Sequence, residues 1–111
     1  MKYVKSQNKL MTQIYWIYIL KCSNGNYYTG YTTDLHRRYE EHSSGTIKCK
    51  YTRSFKPVSI AQSWQFSGSR SEVMKIEKYI KKLSRAEKEN LILNPQLLVL
   101  NGGMEREINK N

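Results

Sequence analysis

Long apolar runs are missing from this chain of 111 residues. The longest candidate, Ile14 to Leu20, is strand-sized and is followed at once by Lys21. A bilayer-spanning helix needs about 20 such residues. Met1 to Leu10 has lysines but no apolar centre of about 7–15 residues, so it does not read as a secretory signal. The expected setting is cytoplasmic, with no membrane partner. Aspartate is almost absent as well: Asp34 stands alone. That removes the paired short carboxylates on which two-metal nucleases rely. The six glycines form no phosphate loop, dinucleotide fingerprint or serine elbow. The two cysteines, Cys22 and Cys49, make no CxxC pair and no zinc spacing with the two histidines. They are expected to be free thiols packed as small apolar groups.

Acidic residues are scarce too, and this deficit is informative. Nineteen Lys and Arg face nine Asp and Glu, a net charge of +10. A surface of that sign attracts polyanions, and nucleic acid is the expected partner. The length suits one domain rather than two.

Three strands are expected. Ile14 to Cys22 and Tyr27 to Thr32 are rich in β-branched and aromatic residues, with the hairpin signal Asn24-Gly25 between them. A two-residue loop would put Tyr18 and Tyr28 on opposite faces of the sheet, because side chains alternate with period two. A three-residue loop with Gly25 in the left-handed conformation pairs Cys22 with Asn26 and sets Tyr18 opposite Gly30. Tyr28 then shares the face of Tyr18, and this register is the one expected. Val58, Ile60, Trp64 and Phe66 occupy even positions and predict the third strand.

Thr33-Asp34 reads as a helix start, with the helix ending near His42 at Ser43-Ser44-Gly45. Arg38 and His42 are four apart and so share a neighbouring face. Residues 46–57 read as a basic loop containing Lys48, Lys50, Tyr51, Arg53 and Lys56. Ser69-Arg70-Ser71-Glu72 and Ser84-Arg85-Ala86-Glu87 are capping boxes that open two further helices. The first has the apolar stripe Val73, Ile76, Ile80 and Leu83; the second ends before Pro95. Residues 1–12 read as a loose leader, with Met11 as an alternative start, 13–94 as the domain, and 95–111 as a C-terminal extension. The fold class is α/β of the α+β type: a small three-stranded antiparallel sheet flanked by about three helices.

Glu77 borders the apolar stripe of its helix, whereas Lys75, Lys78, Lys81 and Lys82 mostly point away from it. A carboxylate beside a core-facing surface needs a partner. An arginine would make it a structural pair. Nine tyrosines in this chain mostly pack a small sheet, and taken singly neither Tyr18 nor Tyr28 signals chemistry.

Their joint arrangement does. Trp16-Ile17-Tyr18 and Tyr28-Thr29-Gly30 resemble the two signature tripeptides of the GIY-YIG nuclease superfamily, at its characteristic separation. Trp16 stands for the first glycine and Thr29 for the middle isoleucine. Arg38 and His42 resemble its Arg-xxx-His helix, and Glu77 with Ile80-Lys81 resembles the helix of its metal-binding glutamate. Lys50-Tyr51-Thr52-Arg53 resembles the small stand-alone bacterial members, relatives of the catalytic subunit of a structure-specific junction nuclease. The resemblance covers roughly residues 13–94 and implies a metal-dependent endonuclease acting on DNA, with branched or flapped structures among its substrates. It implies that Tyr18 and Tyr28 line the site and one of them handles a proton. Arg38 would hold the phosphate, His42 would assist proton transfer or position the tyrosine, and Glu77 would bind one divalent metal, Mg2+ with Mn2+ as a substitute. Lys48, Lys50, Tyr51, Arg53, Lys78 and Lys81 are the expected nucleic-acid-binding surface. Two rival readings are a binding module of the same fold and a nuclease domain active only with a protein partner.

Overall fold

Ten residues, Gln13–Cys22, form the central strand β1 of a three-stranded antiparallel sheet in the computed structural model, which describes residues 12–98. The remaining elements follow in chain order: β2 (Tyr27–Thr32), α1 (Leu35–Ser44), α2 (Lys50–Ser54), β3 (Pro57–Gly68), α3 (Arg70–Lys81) and α4 (Arg85–Leu93), with a 3-10 turn at Pro95–Leu97. The sheet order is β2-β1-β3. Residues 1–11 of the expected leader and 99–111 of the expected C-terminal extension lie outside the described residues. No helix among the described residues is long and apolar enough to cross a membrane.

The hairpin takes the bulged register. Cys22 N–H donates to Asn26 O at 2.9 Å and Gly25 N–H to Cys22 O at 2.8 Å. Gly25 has φ 84°, a conformation that glycine adopts without steric cost. Tyr18 consequently pairs with Gly30, and Tyr18 and Tyr28 lie on one face of the sheet with Leu20, Cys22, Leu35, Tyr39 and Tyr51. The opposite face carries the larger core. Tyr15, Ile17 and Ile19 of β1 pack there with Trp64, Phe66, Val73, Ile76, Ile80, Leu91 and Leu98. Five of these, Ile17, Ile19, Val73, Ile76 and Ile80, are fully buried, each contributing roughly 1.5–3 kcal/mol.

The period-two pattern of β3 fails halfway. Trp64 and Phe66 are buried, but Val58 is 64% and Ile60 36% exposed. Two register shifts against β1, at Ile19/Leu20 and at Lys21/Cys22, account for this. Each extra residue reverses the inside–outside alternation, so Ile60 pairs with Leu20, on the other face from Trp64 and Ile17.

Both capping boxes form. Ser69 and Ser84 accept from the amides of Glu72 and Glu87, whose carboxylates accept from the amides of Ser69 and Ser84. Four helices are present among the described residues rather than about three. The additional one is α2, inside the segment expected to be a basic loop. Its five residues are too short to show a helical period, and Thr52, buried at its centre, ties it to α1. Beyond α4, Trp64 Nε1 donates to Pro95 O at 2.9 Å, which holds the 3-10 turn against β3.

Candidate functional site

The register of the hairpin places Tyr18 beneath the β2 strand. A Cβ on Gly30 would lie 2.5 Å from Tyr18 Oη and 2.7 Å from its Cζ. The absent side chain at Gly30 is therefore the space that the Tyr18 ring fills. Arg38 and His42 come from α1, which starts on the Asp34 side chain (Arg37 N–H to Asp34 Oδ1, 3.1 Å) and stops at Gly45 with φ 80°. Glu77 comes from α3, on the other face. Residues of both faces can meet only round the edge strand β2.

They meet in a cavity of about 420 Å3 lined by Tyr15, Tyr18, Tyr28, Gly30, Tyr31, Thr32, Thr33, Arg38, Arg70 and Glu77. Four of the five principal expected residues, Tyr18, Tyr28, Arg38 and Glu77, thus share one space. The fifth, His42, is fully buried and does not line it. It stands behind Tyr18: His42 Nε2 is 3.0 Å from Tyr18 Oη, and Nδ1 is 2.8 Å from Thr52 Oγ1. The buried imidazole thus bridges the two hydroxyls, and in one of its tautomers Nδ1–H donates to Thr52 Oγ1. With Nδ1 as that donor, Nε2 is the acceptor of the Tyr18 hydroxyl.

Burial favours the neutral forms of Tyr18, Tyr28 and His42. Burial pushes Tyr18 up to about 12, against the pull of the adjacent Arg38, with Glu77 adding to the rise. Tyr28 is raised by burial and then by its hydrogen bond to Cys49. His42 is lowered by burial and by Arg38, with Glu41 opposing. Burial acts to raise Cys49, but hydrogen bonds from Thr52, Tyr28 and the Tyr51 amide together outweigh it and lower the thiol. Cys22 is buried, and both cysteines are free.

With Arg70, Arg38 is one of two arginines lining the cavity. Its Nε is buried without a hydrogen-bond acceptor among the described residues. Glu41 Oε1 lies 3.2 Å away, as an ion pair rather than a hydrogen bond. Arg38 nevertheless lines the cavity, and a guanidinium's fork of donors suits a phosphate oxygen. Glu77 is 19% exposed at its side chain and lies 3.4 Å from Lys81 Nζ. It pairs with a lysine of its own helix, and no arginine partner is present among the described residues.

Of the expected binding surface, Lys48, Lys50, Arg53, Lys78 and Lys81 are exposed and Tyr51 is partly buried. None of them lines the cavity. Tyr51 is fixed instead, its ring stacked near-parallel to Tyr28 (17° between planes, centroids 6.2 Å apart) and its hydroxyl accepting from Asn24 Nδ2 at 2.9 Å. Sequence reasoning missed Thr52 and Arg70. Thr52 leaves no periodic signal in so short a helix. Arg70 is the first residue after a capping serine, a position that aims it at the cavity mouth, where its Nε donates to Tyr31 Oη at 3.2 Å.

No three residues among His, Cys, Asp and Glu gather into a metal-binding group among the described residues. A single carboxylate in an oxygen-lined cavity nevertheless fits a magnesium-like ion. Such ions keep several waters and bind through one or two carboxylates plus substrate phosphates. Glu77 is the residue that would hold it.

A cavity that joins two tyrosines, an arginine and a glutamate, with a histidine behind one tyrosine, defines a class. Residues 14–90 match the GIY-YIG catalytic domain, and the chain belongs to the GIY-YIG nuclease family. Within that family it falls among the small UPF0213 proteins. It is 51% identical over 75 residues to the UPF0213 protein of Halobacterium salinarum, across 68% of this chain and 95% of that one. It is 46% identical over 78 residues to that of Listeria innocua, across 70% and 84%. The solution NMR structure of a UPF0213 protein from Bacillus halodurans has 41% identity, covering 88% of this chain and 96% of its own, with a TM-score of 0.43.

Proposed function

We propose that this protein is a metal-dependent endonuclease that hydrolyses DNA phosphodiester bonds, with residues 13–94 as its catalytic unit. The observation that carries this reading is the shared cavity: Tyr18, Tyr28, Arg38 and Glu77 around one space, with Tyr18 bonded to a buried, neutral His42.

A phenol held near 12 cannot stand as a phenolate at neutral pH. It can still pass a proton through. As water attacks phosphorus, its proton goes to Tyr18 Oη while the Tyr18 proton moves to His42 Nε2. The imidazolium so formed lies beside Arg38 and is disfavoured there, so once the bond to the leaving oxygen has broken it releases the proton through Tyr18 Oη to cavity water, from which the leaving alkoxide takes up one proton. Arg38 offers its guanidinium to the phosphoryl oxygens, where charge builds as the bond to the leaving oxygen breaks. Tyr28, also raised, touches the edge of the His42 ring without a hydrogen bond to it, and it lines and orders the cavity. Glu77 would hold the divalent ion, Mg2+ or Mn2+, which supplies Lewis-acid stabilisation of that same charge. Lys48, Lys50, Arg53 and Lys78 supply sequence-independent contacts to the DNA backbone. The reaction class and two free thiols suit the cytoplasm.

One observation favours a second reading. Lys81 sits at the carboxylate that a metal needs, as it would in a DNA-binding module of the same fold. Labelled branched and linear DNA, incubated with the chain plus Mg2+, Mn2+ or chelator, separates the two. Cleavage that requires the metal supports the nuclease. Binding without cleavage supports the module, and cleavage that appears only with an added protein fraction supports a partner-dependent nuclease.

A further inference from the structure

A second cleft lies on the other side of Tyr28. It has a volume of about 280 Å3 and is lined by Asn26, Tyr27, Tyr28, Tyr51, Arg85 and Lys88. We propose that this cleft seats one unpaired nucleotide of the substrate strand, next to the phosphate held in the catalytic cavity. The proposal rests on the nuclease reading and makes it more specific: the substrate has an unpaired nucleotide at the point of cleavage.

Three features carry it. First, Tyr28 lines both spaces, so a strand crossing its ring puts consecutive units in the two sites. Second, the walls are aromatic and held in place beforehand. Tyr51 is fixed by Asn24 and lies near-parallel to Tyr28, while Tyr27 donates to Glu89 Oε2 at 3.1 Å and carries the Arg85 guanidinium 5.3 Å above its ring. Bases stack on such faces with little regard to sequence. Third, the polar groups divide into used and available ones. Arg85 spends its donors inside the protein, on Gly25 O at 2.9 Å, Asn26 Oδ1 at 3.1 Å and Glu89 Oε2 at 3.2 Å. Lys88 makes no ion pair among the described residues and offers the cleft its ammonium for a phosphate. Asn26 Oδ1 is occupied by Arg85, so its amide group is left to donate to a base edge.

The chemistry of the cleft selects an unpaired base over paired DNA. Bases in a duplex have their faces covered by neighbours, whereas an unpaired base offers its face to aromatic side chains.

The test uses the whole chain, with chelator so that nothing is cleaved, and flapped DNA with 2-aminopurine at successive positions about the branch point. The proposal expects a fluorescence change on binding at one unpaired position beside the branch and none in the matching full duplex. Tyr51→Leu and Lys88→Ala should each weaken flap binding by roughly tenfold, and abolish or shift the fluorescence change. Lys88→Ala sits on the partly exposed surface of α4, so it keeps the test valid if Tyr51→Leu fails to fold. Equal affinity in wild type and Lys88→Ala, or the same signal from duplex and flap, overturns the proposal. Cleavage with Mg2+ then distinguishes its failure from that of the parent reading. Metal-dependent cleavage of duplex and flap alike, unchanged in Lys88→Ala, leaves a nuclease without this subsite. The branch-specific signal without any cleavage leaves the subsite on a binding module.

Discussion

Tyr18 Oη and His42 Nε2 lie 3.0 Å apart, joined across 24 residues of sequence and sealed from solvent on the histidine side. His42 in turn is held by Thr52 on α2 at 2.8 Å. A strand, a helix and a five-residue helical turn therefore converge on one chain of side-chain hydrogen bonds, and the chain ends at the cavity that holds Arg38 and Glu77.

The pH dependence of stability follows from this burial. The pKa of His42 is lowered in the fold, so the unfolded chain binds the extra proton more readily. Its contribution is fully present above the ordinary histidine value of 6.5 and is lost as pH falls from there through the lower folded value. Tyr18 is raised from 10.0 to about 12, so its contribution is present below pH 10 and is lost as pH rises through about 12. Thermal melts across pH should show a plateau between these limits. Cleavage should likewise hold to below pH 6.5, because the proposed relay takes neutral His42 as its acceptor. A rate that already halves above pH 6.5 would contradict the relay.

Thr52→Val keeps the shape of the side chain but removes the oxygen that is hydrogen-bonded to His42 Nδ1. An unsatisfied buried donor costs about 1–3 kcal/mol. The variant should melt lower by a corresponding amount and lose activity, because the histidine is then free to take its other tautomer. Unchanged melting and unchanged rate would show that the Thr52 contact is incidental.

Gly30→Ala tests the close approach. The added methyl meets the Tyr18 hydroxyl and ring carbon on a buried strand, and overpacking of this kind costs about 1–3 kcal/mol. The ring must move away from His42. Activity should fall by roughly 100-fold, the scale of one lost proton-transfer group, while near-ultraviolet circular dichroism reports the displaced tyrosine. Wild-type activity in a folded Gly30→Ala protein would mean that Tyr18 tolerates displacement.

Thr29 offers a change in the opposite direction. It pairs with Ile19 in the sheet, it is 2% exposed, and its hydroxyl has no hydrogen-bond partner among the described residues. Thr29→Val removes a buried polar atom at almost constant volume. Stability should rise by about 1 kcal/mol, raising the melting temperature by roughly 4–8 °C, with cleavage unaltered. A lower melting temperature would show that the hydroxyl has a partner.

The fold and most of the cavity were legible in the sequence because local chemistry wrote them there. Asn24-Gly25 with the two flanking aromatic runs permits few registers, and the requirement that Tyr18 and Tyr28 share a face selects one. The capping boxes at Ser69 and Ser84 marked two helix starts. What escaped notice depended on contacts distant in sequence or on structure too short for a period. The β-bulges that turn Val58 and Ile60 outward are invisible to an alternation rule. Helix α2 and its Thr52 were hidden in a run of basic residues, and Arg70 gains meaning only when α3 docks beside β2. The spacing of Arg38 and His42 correctly placed them on one helix, but it could not show that one faces the cavity and the other lies buried behind a tyrosine.

The central claim is that Tyr18, Arg38 and Glu77 form one hydrolytic site, and single-turnover cleavage of flapped DNA with Mg2+ tests it most directly. Wild type should be compared with Tyr18→Phe, Arg38→Lys and Glu77→Gln, each confirmed as folded by circular dichroism. The account predicts losses of roughly 100-fold or more for Tyr18→Phe and Glu77→Gln. It predicts a comparable loss for Arg38→Lys, which keeps the charge but not the fork of donors. Wild-type rates in all three folded variants, or cleavage indifferent to chelator, would contradict it.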